Sequence, residues 1–150
     1  MQMMTTTGLM AVPWFVRMQN FRQLSVWRLA HSLALNVHRL TASIPRQHNS
    51  GLISQLRRAA LSIPANISEG CGRESNRDLA KFLQIAIGSC SELEYHLQFC
   101  GDAGLMQRQE CDARLAEVIQ VRRMLIGLLK RVRSSDGPVA VVSKPTAQSH

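Results

Sequence analysis

Apolar residues recur every three or four positions along four long stretches of the sequence. Nowhere do apolar and polar residues alternate with the period of two that a half-buried β-strand shows. The first stretch runs from Leu24 to about Ser43, and its repeating positions are Leu24, Trp27, Ala30, Ala34, Val37 and Thr41. At 1.5 Å per residue such a helix is about 30 Å long. The periodicity predicts an all-α fold.

The second stretch, from about Ser50 to Glu69, has one apolar face made of Leu52, Leu56, Ala59, Ile63 and Ile67. Pro64 lies inside this stretch. Because a proline ring clashes with the carbonyl four residues earlier, here that of Ala60, we expect the helix to kink or loosen at this point. Gly70 and Gly72 follow, and because glycines commonly end helices, we expect them to end this one.

The third stretch begins after Ser75, a good helix-capping residue, and Asp78 three positions later makes an acidic variant of the capping box. It ends at Gly101 or Gly104. The fourth stretch runs from about Gln107 to Val132. Four amphipathic helices with short connections favour an antiparallel up-down four-helix bundle.

The predicted bundle covers residues 20–133 of the 150-residue chain, which is the length of one domain. Residues 1–19 match no helical period, and Met18 comes just before the first amphipathic stretch. We therefore predict a disordered or mis-started N-terminal extension, with Met18 as the native start. Residues 134–150 contain a Gly-Pro pair and a second proline, which indicates a disordered C-terminal tail.

The chain carries 18 Lys and Arg residues against 10 Asp and Glu residues, a formal net charge of +8, which favours a polyanionic partner such as RNA or DNA. The fourth helix has seven basic and three acidic residues, a net charge of +4, and the first helix has three basic residues and no acid, a net charge of +3. The third helix, by contrast, has a net charge of −2. The predicted nucleic-acid contacts are Arg28, Arg57, Arg122, Arg123, Arg131 and Arg133.

The basic charge can also arise without any ligand. The arginines can simply form a solvated surface. Cations in the last turn of a helix also complement its macrodipole by themselves, which applies to Lys130, Arg131 and Arg133. Both alternatives remain open on the sequence alone.

A polar series runs beside the apolar face of the second helix at Gln55, Arg58, Ser62, Asn66 and Glu69. A second polar line, Ser89, Glu92 and His96, follows the third helix at the same spacing. If the two helices are neighbours, Arg58 is placed to pair with Glu92 and fix the register of the pair. The predicted structural polar network is Gln55, Arg58, Ser62, Asn66, Glu69 and Glu92, with direct ligand contact and solvent exposure as the alternatives.

No catalytic motif is present in the sequence. There is no Ser-His-Asp order, no metal-binding histidine pair and no glycine-rich loop before a helix. The four cysteines include no Cys-x-x-Cys pair, so we expect buried thiols, and neither a zinc site nor a redox motif. A minimal metal nuclease built on Glu69 or Glu92 lacks a converging set of ligands. We predict that the protein is not an enzyme and needs no metal or cofactor.

Two further expectations concern location and base recognition. The sequence shows no secretory signal and no apolar run near 18 residues, so we expect a cytoplasmic protein that does not interact with membranes. Aromatic residues make up only 5% of the chain, and Phe82 and Phe99 fall within apolar helical stripes. This argues against the base-stacking platforms that single-strand binders use.

The series from Gln55 to Gly70, with its Arg-Arg-Ala, Ser-Ile-Pro, Asn-Ile and Glu-Gly groups, is specific enough to suggest a family. With the residues around Gly72, Phe82, Gly88 and Glu92, and the opening segment from Phe21 to Trp27, it resembles the bacterial four-helix-bundle proteins encoded in 23S rRNA intervening sequences. The resemblance covers residues 20–132. The chain departs from the usual pattern at Ser68, where alanine is common, at Ile87, where arginine is common, and at His38, where an aromatic residue is frequent.

The resemblance implies an antiparallel four-helix bundle that assembles into a homopentameric ring. Relatives include the accessory variability determinant of diversity-generating retroelements, a basic pentamer that engages a reverse transcriptase and nucleic acid. For most members the function is unassigned, and no enzymatic activity is established.

Two function hypotheses follow. The first is a non-catalytic, oligomeric protein that binds RNA or DNA through its basic surface. The alternative is a protein-interaction scaffold or adaptor, for example for a reverse transcriptase, with the polar series and the Gly70–Gly72 turn at the subunit or partner contact.

Overall fold

A computed structural model describes residues 20–135 of the chain. Its four long helices are α1 (Ser25–Thr41), α2 (Ser50–Cys71), α3 (Asn76–Asp102) and α4 (Arg108–Ser134). Single turns of 3-10 helix, Phe21–Gln23 and Arg46–His48, precede α1 and α2. No strand occurs within residues 20–135. The all-α prediction is confirmed, and each helix begins and ends within a few residues of the predicted position.

The predicted N-terminal extension, including Met18, lies outside the described residues, as does the predicted C-terminal tail from residue 136 onward. The first residue of that predicted tail, Ser134, is the last residue of α4. The bundle therefore extends one residue past its predicted end at residue 133.

The four helices share one apolar core. α1 packs against α2 and α4, and α3 packs against the same two helices. Each helix contributes at least one leucine that is at most 1% exposed: Leu33, Leu56, Leu83 and Leu125. Burying a leucine side chain contributes about 1.5–3 kcal/mol to the free energy of unfolding, so these positions hold the helices together.

Contacts between neighbouring helices join residues near the start of one helix to residues near the end of the other. Trp27, near the start of α1, contacts Ser68 near the end of α2, whereas Thr41 at the end of α1 contacts Arg57 near the start of α2. The other three helix pairs show the same order in their contacts: Ser62 with Ser89, Gly70 with Leu79, Glu94 with Arg122, Gly101 with Arg108, Asn36 with Glu117, and the groove that joins Leu24 to Arg131.

The predicted cap of α3 is confirmed. The Ser75 Oγ accepts a hydrogen bond from the backbone N–H of Asp78 at 3.1 Å, which satisfies one of the free donors at the start of the helix. The Asp78 carboxylate in turn accepts a hydrogen bond from Lys81 Nζ at 3.0 Å. The hydrogen bond from Lys81, and after it a hydrogen bond between the Ser75 side chain and the carboxylate, hold the pKa of Asp78 below its usual value.

α2 continues without interruption through Pro64, which is buried in the core, so the proline does not break the helix. Of the two glycines predicted to end α2, Gly72 is its C-terminal cap, whereas Gly70, contrary to the prediction, lies within the last turn of the helix. A Cβ at Gly70 would lie 2.9 Å from both Leu79 Cδ1 and Phe82 Cβ. Gly70 therefore serves the close approach of α2 to α3, and the helix ends one residue later, at Cys71.

α3 ends as the sequence predicted, next to glycine. The helix stops at Asp102, and Gly104 takes the left-handed backbone conformation, with φ of 70°. This turn lets the N–H of Leu105 donate a hydrogen bond to the carbonyl of Cys100 at 2.9 Å. Such bonds satisfy carbonyl groups that the end of a helix leaves free.

Among the described helices, none is long and apolar enough to cross a membrane.

Candidate nucleic-acid interface

The charges on α4 are sorted along its length. All three acidic residues, Glu110, Asp112 and Glu117, lie in its first half, and the sequence from 118 to 134 contains no acid. The basic residues of this second half are Arg122, Arg123, Lys130, Arg131 and Arg133. Four of them, all except Arg122, are exposed and make no side-chain hydrogen bond or ion pair within residues 20–135. Within residues 20–135, the last part of α4 therefore presents uncompensated positive charge to solvent.

Arg122 differs from its neighbour Arg123. Its guanidinium forms an ion pair with the carboxylate of Glu94 on α3, and the two side chains are 27% and 33% exposed. The pair joins α3 to α4 at a half-buried position. Because Glu94 already compensates the charge of Arg122, we expect Arg122 to bind a phosphate more weakly than Arg123 does.

Arg28 and Arg131 lie near the start of α1. Arg131 lines a groove with Leu24, Ser25 and Val26, which places it beside the first turn of that helix. Arg28 is exposed one turn further along, where its Nη1 donates a hydrogen bond to the carbonyl of Arg22 at 3.3 Å. Together with the outer face of α4 they form a basic surface on two adjacent helices.

Arg57 lies apart from this surface. Its Nε donates a hydrogen bond to Thr41 Oγ1 at 2.8 Å, at the last residue of α1. The Thr41 hydroxyl donates to the carbonyl of His38 at 2.9 Å. The length of α1, about 25 Å for its 17 residues, therefore separates Arg57 from Arg131. The six arginines do not form one patch.

The two predicted polar lines meet where the middle of the first, Ser62, contacts the start of the second, Ser89. Ser62 on α2 and Ser89 on α3 share a hydrogen bond of 2.8 Å, and Asn66 Nδ2 donates to Ser62 Oγ at 2.9 Å. Ser89 is only 7% exposed, and its hydroxyl also donates to the carbonyl of Ile85 at 3.1 Å, so the buried group is fully hydrogen-bonded. These residues fix the register of α2 against α3.

The outer members of the polar series behave differently. Gln55 and Arg58 are exposed and make no side-chain hydrogen bond within the described residues. The predicted pair between Arg58 and Glu92 is not formed, and the Glu92 carboxylate instead lies 3.4 Å from the Nε2 of His96 on its own helix. Glu69 pairs with Arg73 Nη2 at 2.6 Å.

Two polar contacts were not foreseen from the sequence. The indole Nε1 of Trp27 donates to Ser68 Oγ at 2.9 Å, and Ser68 donates to the carbonyl of Pro64 at 2.8 Å. The signal for this contact was Ser68 itself, a hydroxyl where the family pattern has alanine. The second contact joins α1 to α4 through Glu117, which accepts hydrogen bonds from Arg114 and Asn36. Nothing in the helical spacing links residues so far apart in the chain.

The site offers cationic groups and hydrogen-bond donors. Within residues 20–135 no three His, Cys, Asp or Glu side chains lie close enough together to hold a metal ion. The four cysteines are free and buried, as predicted. Burial raises the pKa of Cys71 to about 11, of Cys90 to about 12 and of Cys100 to about 11, so these thiols are protonated at neutral pH.

Comparison with known proteins agrees with the fold. The family model described as 23S rRNA-intervening sequence protein matches residues 22–127. None of the curated proteins matches the chain. The structure is similar to the crystal structure of a protein of unknown function from the S23 ribosomal protein family of Bacteroides thetaiotaomicron, with a TM-score of 0.65 and 22% sequence identity. The match covers 70% of this chain and 98% of that one. Because the family model spans residues 22–127, well over half of the sequence, the chain belongs to the 23S rRNA-intervening sequence protein family.

Proposed function

We propose that the protein is a non-catalytic, nucleic-acid-binding protein of the cytoplasm. Its main contact surface is the second half of α4 together with the start of α1. The single observation that carries the proposal is the set of exposed cations Arg123, Lys130, Arg131 and Arg133, none of which has an acidic partner within residues 20–135. Uncompensated cations at this density bind phosphates without reading sequence. Arg28 extends the surface onto α1.

The proposal includes the arrangement of the helices and their assembly. The order of contacts between each neighbouring pair supports an up-down bundle in which successive helices run antiparallel. Family membership supports assembly of several copies into a ring, which we propose to be a pentamer. A ring repeats the basic surface in every subunit, so that several weak phosphate contacts act together.

The test is a double charge reversal, Arg123→Glu with Lys130→Glu. Affinity for a short RNA or DNA is measured by fluorescence anisotropy at several salt concentrations. Each lost phosphate contact flattens the slope of log affinity against log salt by about 0.9 for a duplex and about 0.7 for a single strand. We expect the double variant to bind at least ten-fold more weakly than the wild type at low salt, with a slope smaller by about 1.8 for a duplex and about 1.4 for a single strand.

The matched control reverses two other exposed cations that make no ion pair, Arg46→Glu with Arg58→Glu. It changes the net charge by the same amount at a different place. If both double variants lose the same affinity, the binding depends on net charge and the assignment to α4 is wrong. If the wild type does not bind nucleic acid at all, the proposed function is wrong.

A second candidate function, a protein-interaction scaffold, is favoured by the exposed apolar side chains on the outer faces of α2 and α3. Leu61 is 61% exposed, and Ile85, Tyr95 and Phe99 are between 47% and 65% exposed. Exposed apolar side chains that lie together are typical of surfaces that contact another protein, for example a reverse transcriptase or another subunit, and Tyr95 and Phe99 lie one helical turn apart. Pull-down with and without nuclease separates the two functions, because a partner held by protein contacts survives digestion of the nucleic acid.

A further inference from the structure

Three aromatic rings lie in contact around the start of α1. The rings of Phe21 and Trp27 are 4.9 Å apart between centroids and tilted by 56°. The ring of His31, one turn after Trp27, lies 5.0 Å from the indole, with an angle of only 6° between the two planes. Trp27 and His31 are therefore stacked in parallel. Trp27 and His31 are four residues apart on one helix, but the sequence gave no sign that Phe21 joins them.

A hydrogen bond to α2 fixes the orientation of this cluster. The hydrogen bond from Trp27 Nε1 to Ser68 Oγ, at 2.9 Å, fixes the half-buried indole against α2. His31, in contrast, is exposed, and its side chain makes no hydrogen bond within residues 20–135. Trp27 is the one ring that His31 contacts in that part of the chain. The cluster therefore ends in an exposed planar ring whose position depends on stacking alone.

The chain segment that carries the rings has only positive formal charges. From residue 20 to residue 68 the sequence contains six arginines and no acidic residue. Two of these arginines are next to the rings. The guanidinium of Arg22 lies 4.5 Å from the centroid of the Phe21 ring, and Arg28 is bonded to the carbonyl of Arg22 at 3.3 Å. The first acid, Glu69, is paired with Arg73.

We propose that the ring cluster Phe21, Trp27 and His31, with Arg22 and Arg28, is a binding site for an unpaired nucleobase and its flanking phosphates. The base stacks on the exposed His31 ring and the two guanidiniums bind the phosphates on either side. Aromatic stacking with a nearby cationic groove is the chemistry that single-strand binders use. The proposal rests on the proposed function and narrows its ligand to single-stranded nucleic acid. It reverses the expectation, drawn from the low aromatic content, that the chain has no base-stacking platform. Three rings in one place are enough for such a platform even though the chain as a whole has few aromatic residues.

The geometry distinguishes ligands by whether a base face is available. In a duplex each base is already stacked on its neighbours, so it has no free face for His31. An abasic strand carries the same phosphate charge as a normal strand but no base. The site therefore favours an oligothymidylate over an abasic strand of equal length, whereas a surface that binds phosphates alone treats the two strands alike.

The test compares three ligands of equal length: an oligothymidylate, an abasic deoxyribose-phosphate strand and a duplex. Three variants are compared with the wild type. His31→Gln removes the ring and keeps a polar side chain, His31→Tyr keeps a ring, and His38→Gln is the matched control. His38 is exposed on the same helix and makes no ring contact within the described residues.

We expect the wild type to bind the oligothymidylate about ten-fold more tightly than the abasic strand, the lower part of the range that one stacked base contributes. His31→Gln removes most of this difference, His31→Tyr and His38→Gln retain it, and affinity for the duplex changes in none of them. Circular dichroism and the unfolding midpoint confirm that the variants are folded.

The failures are distinguishable. If the wild type binds the oligothymidylate and the abasic strand equally, or if His31→Gln keeps the ten-fold difference, the stacking site is wrong while the proposed nucleic-acid binding stands. If the wild type binds none of the three ligands, the proposed function is wrong and the site with it.

Discussion

Gly70 lies at a close approach of α2 to α3, so the packing of these two helices can be tested by adding one Cβ atom at this position. In Gly70→Ala the new methyl group would lie 2.9 Å from Leu79 Cδ1 and 2.9 Å from Phe82 Cβ. Leu79 Cδ1 is the end of a flexible side chain and can turn away. Phe82 Cβ is bonded directly to the backbone of α3, so the two helices must separate by several tenths of an ångström.

The expected magnitude is the difference between two terms. Alanine is favoured over glycine inside a helix by about 1 kcal/mol. Overpacking a well-packed core costs about 1–3 kcal/mol, and with two contacts this short we expect a value toward the upper end. Gly70→Ala therefore lowers the free energy of unfolding by about 1–2 kcal/mol, which corresponds to a midpoint about 2–8 °C lower for a chain of this length.

The measurement is urea unfolding followed by circular dichroism at one fixed protein concentration, so that any oligomer contributes equally to every sample. Gly88→Ala and Gly127→Ala are the controls, because a Cβ at either position meets no atom within 4 Å and both glycines lie inside helices. We expect these two variants to be more stable than the wild type by about 0.5–1 kcal/mol. A Gly70→Ala protein as stable as its two controls would show that α2 and α3 are not packed as closely as described.

Three further predictions concern polar and ionisable groups. Ser68→Ala removes the acceptor of the Trp27 indole and lowers the free energy of unfolding by about 0.5–1.5 kcal/mol, whereas Ser54→Ala, at an exposed position of the same helix, changes it little; urea unfolding decides. Because the pKa of Asp78 is lowered in the folded state, its contribution to stability is complete above the usual value of 3.8 and is lost as the pH falls below it. Asp78→Asn should therefore flatten the decline of the unfolding midpoint in acid, and an unchanged acid profile would contradict this. The four buried cysteines are Cys71, Cys90, Cys100 and Cys111, and a thiol reagent at neutral pH should modify them only in denaturant. Rapid labelling of the native protein would refute their burial.

The helices were predictable because each carries its own signals. A periodic apolar stripe, the cap at Ser75 and the left-handed turn at Gly104 depend on residues close together in the chain, and the structure has all of them. Gly70 was misinterpreted because glycine is common both at helix ends and at close helix contacts. Only the position of Leu79 and Phe82 distinguishes the two roles.

The candidate surface was less predictable than the fold. The charge of each helix can be counted from the sequence, but the partner of each charge depends on the rotation of neighbouring helices. Arg122 and Arg123 are adjacent in sequence, yet one is paired with Glu94 and the other is exposed without a partner within residues 20–135. The stack of His31 on Trp27 follows from helical spacing, but its contact with α2 through Ser68 does not.

The groove between the first turn of α1 and the last turns of α4 has a consequence for rearranging the chain. Leu24 and Arg131 line the same groove, so the two ends of the four-helix unit are neighbours in space. A short linker can join them, and a new start can be opened in the exposed segment around Gly104 between α3 and α4. In such a circular permutant α4 would come first and α3 last, with the same helix contacts. The order of the helices along the chain is thus separable from the packing that holds them together.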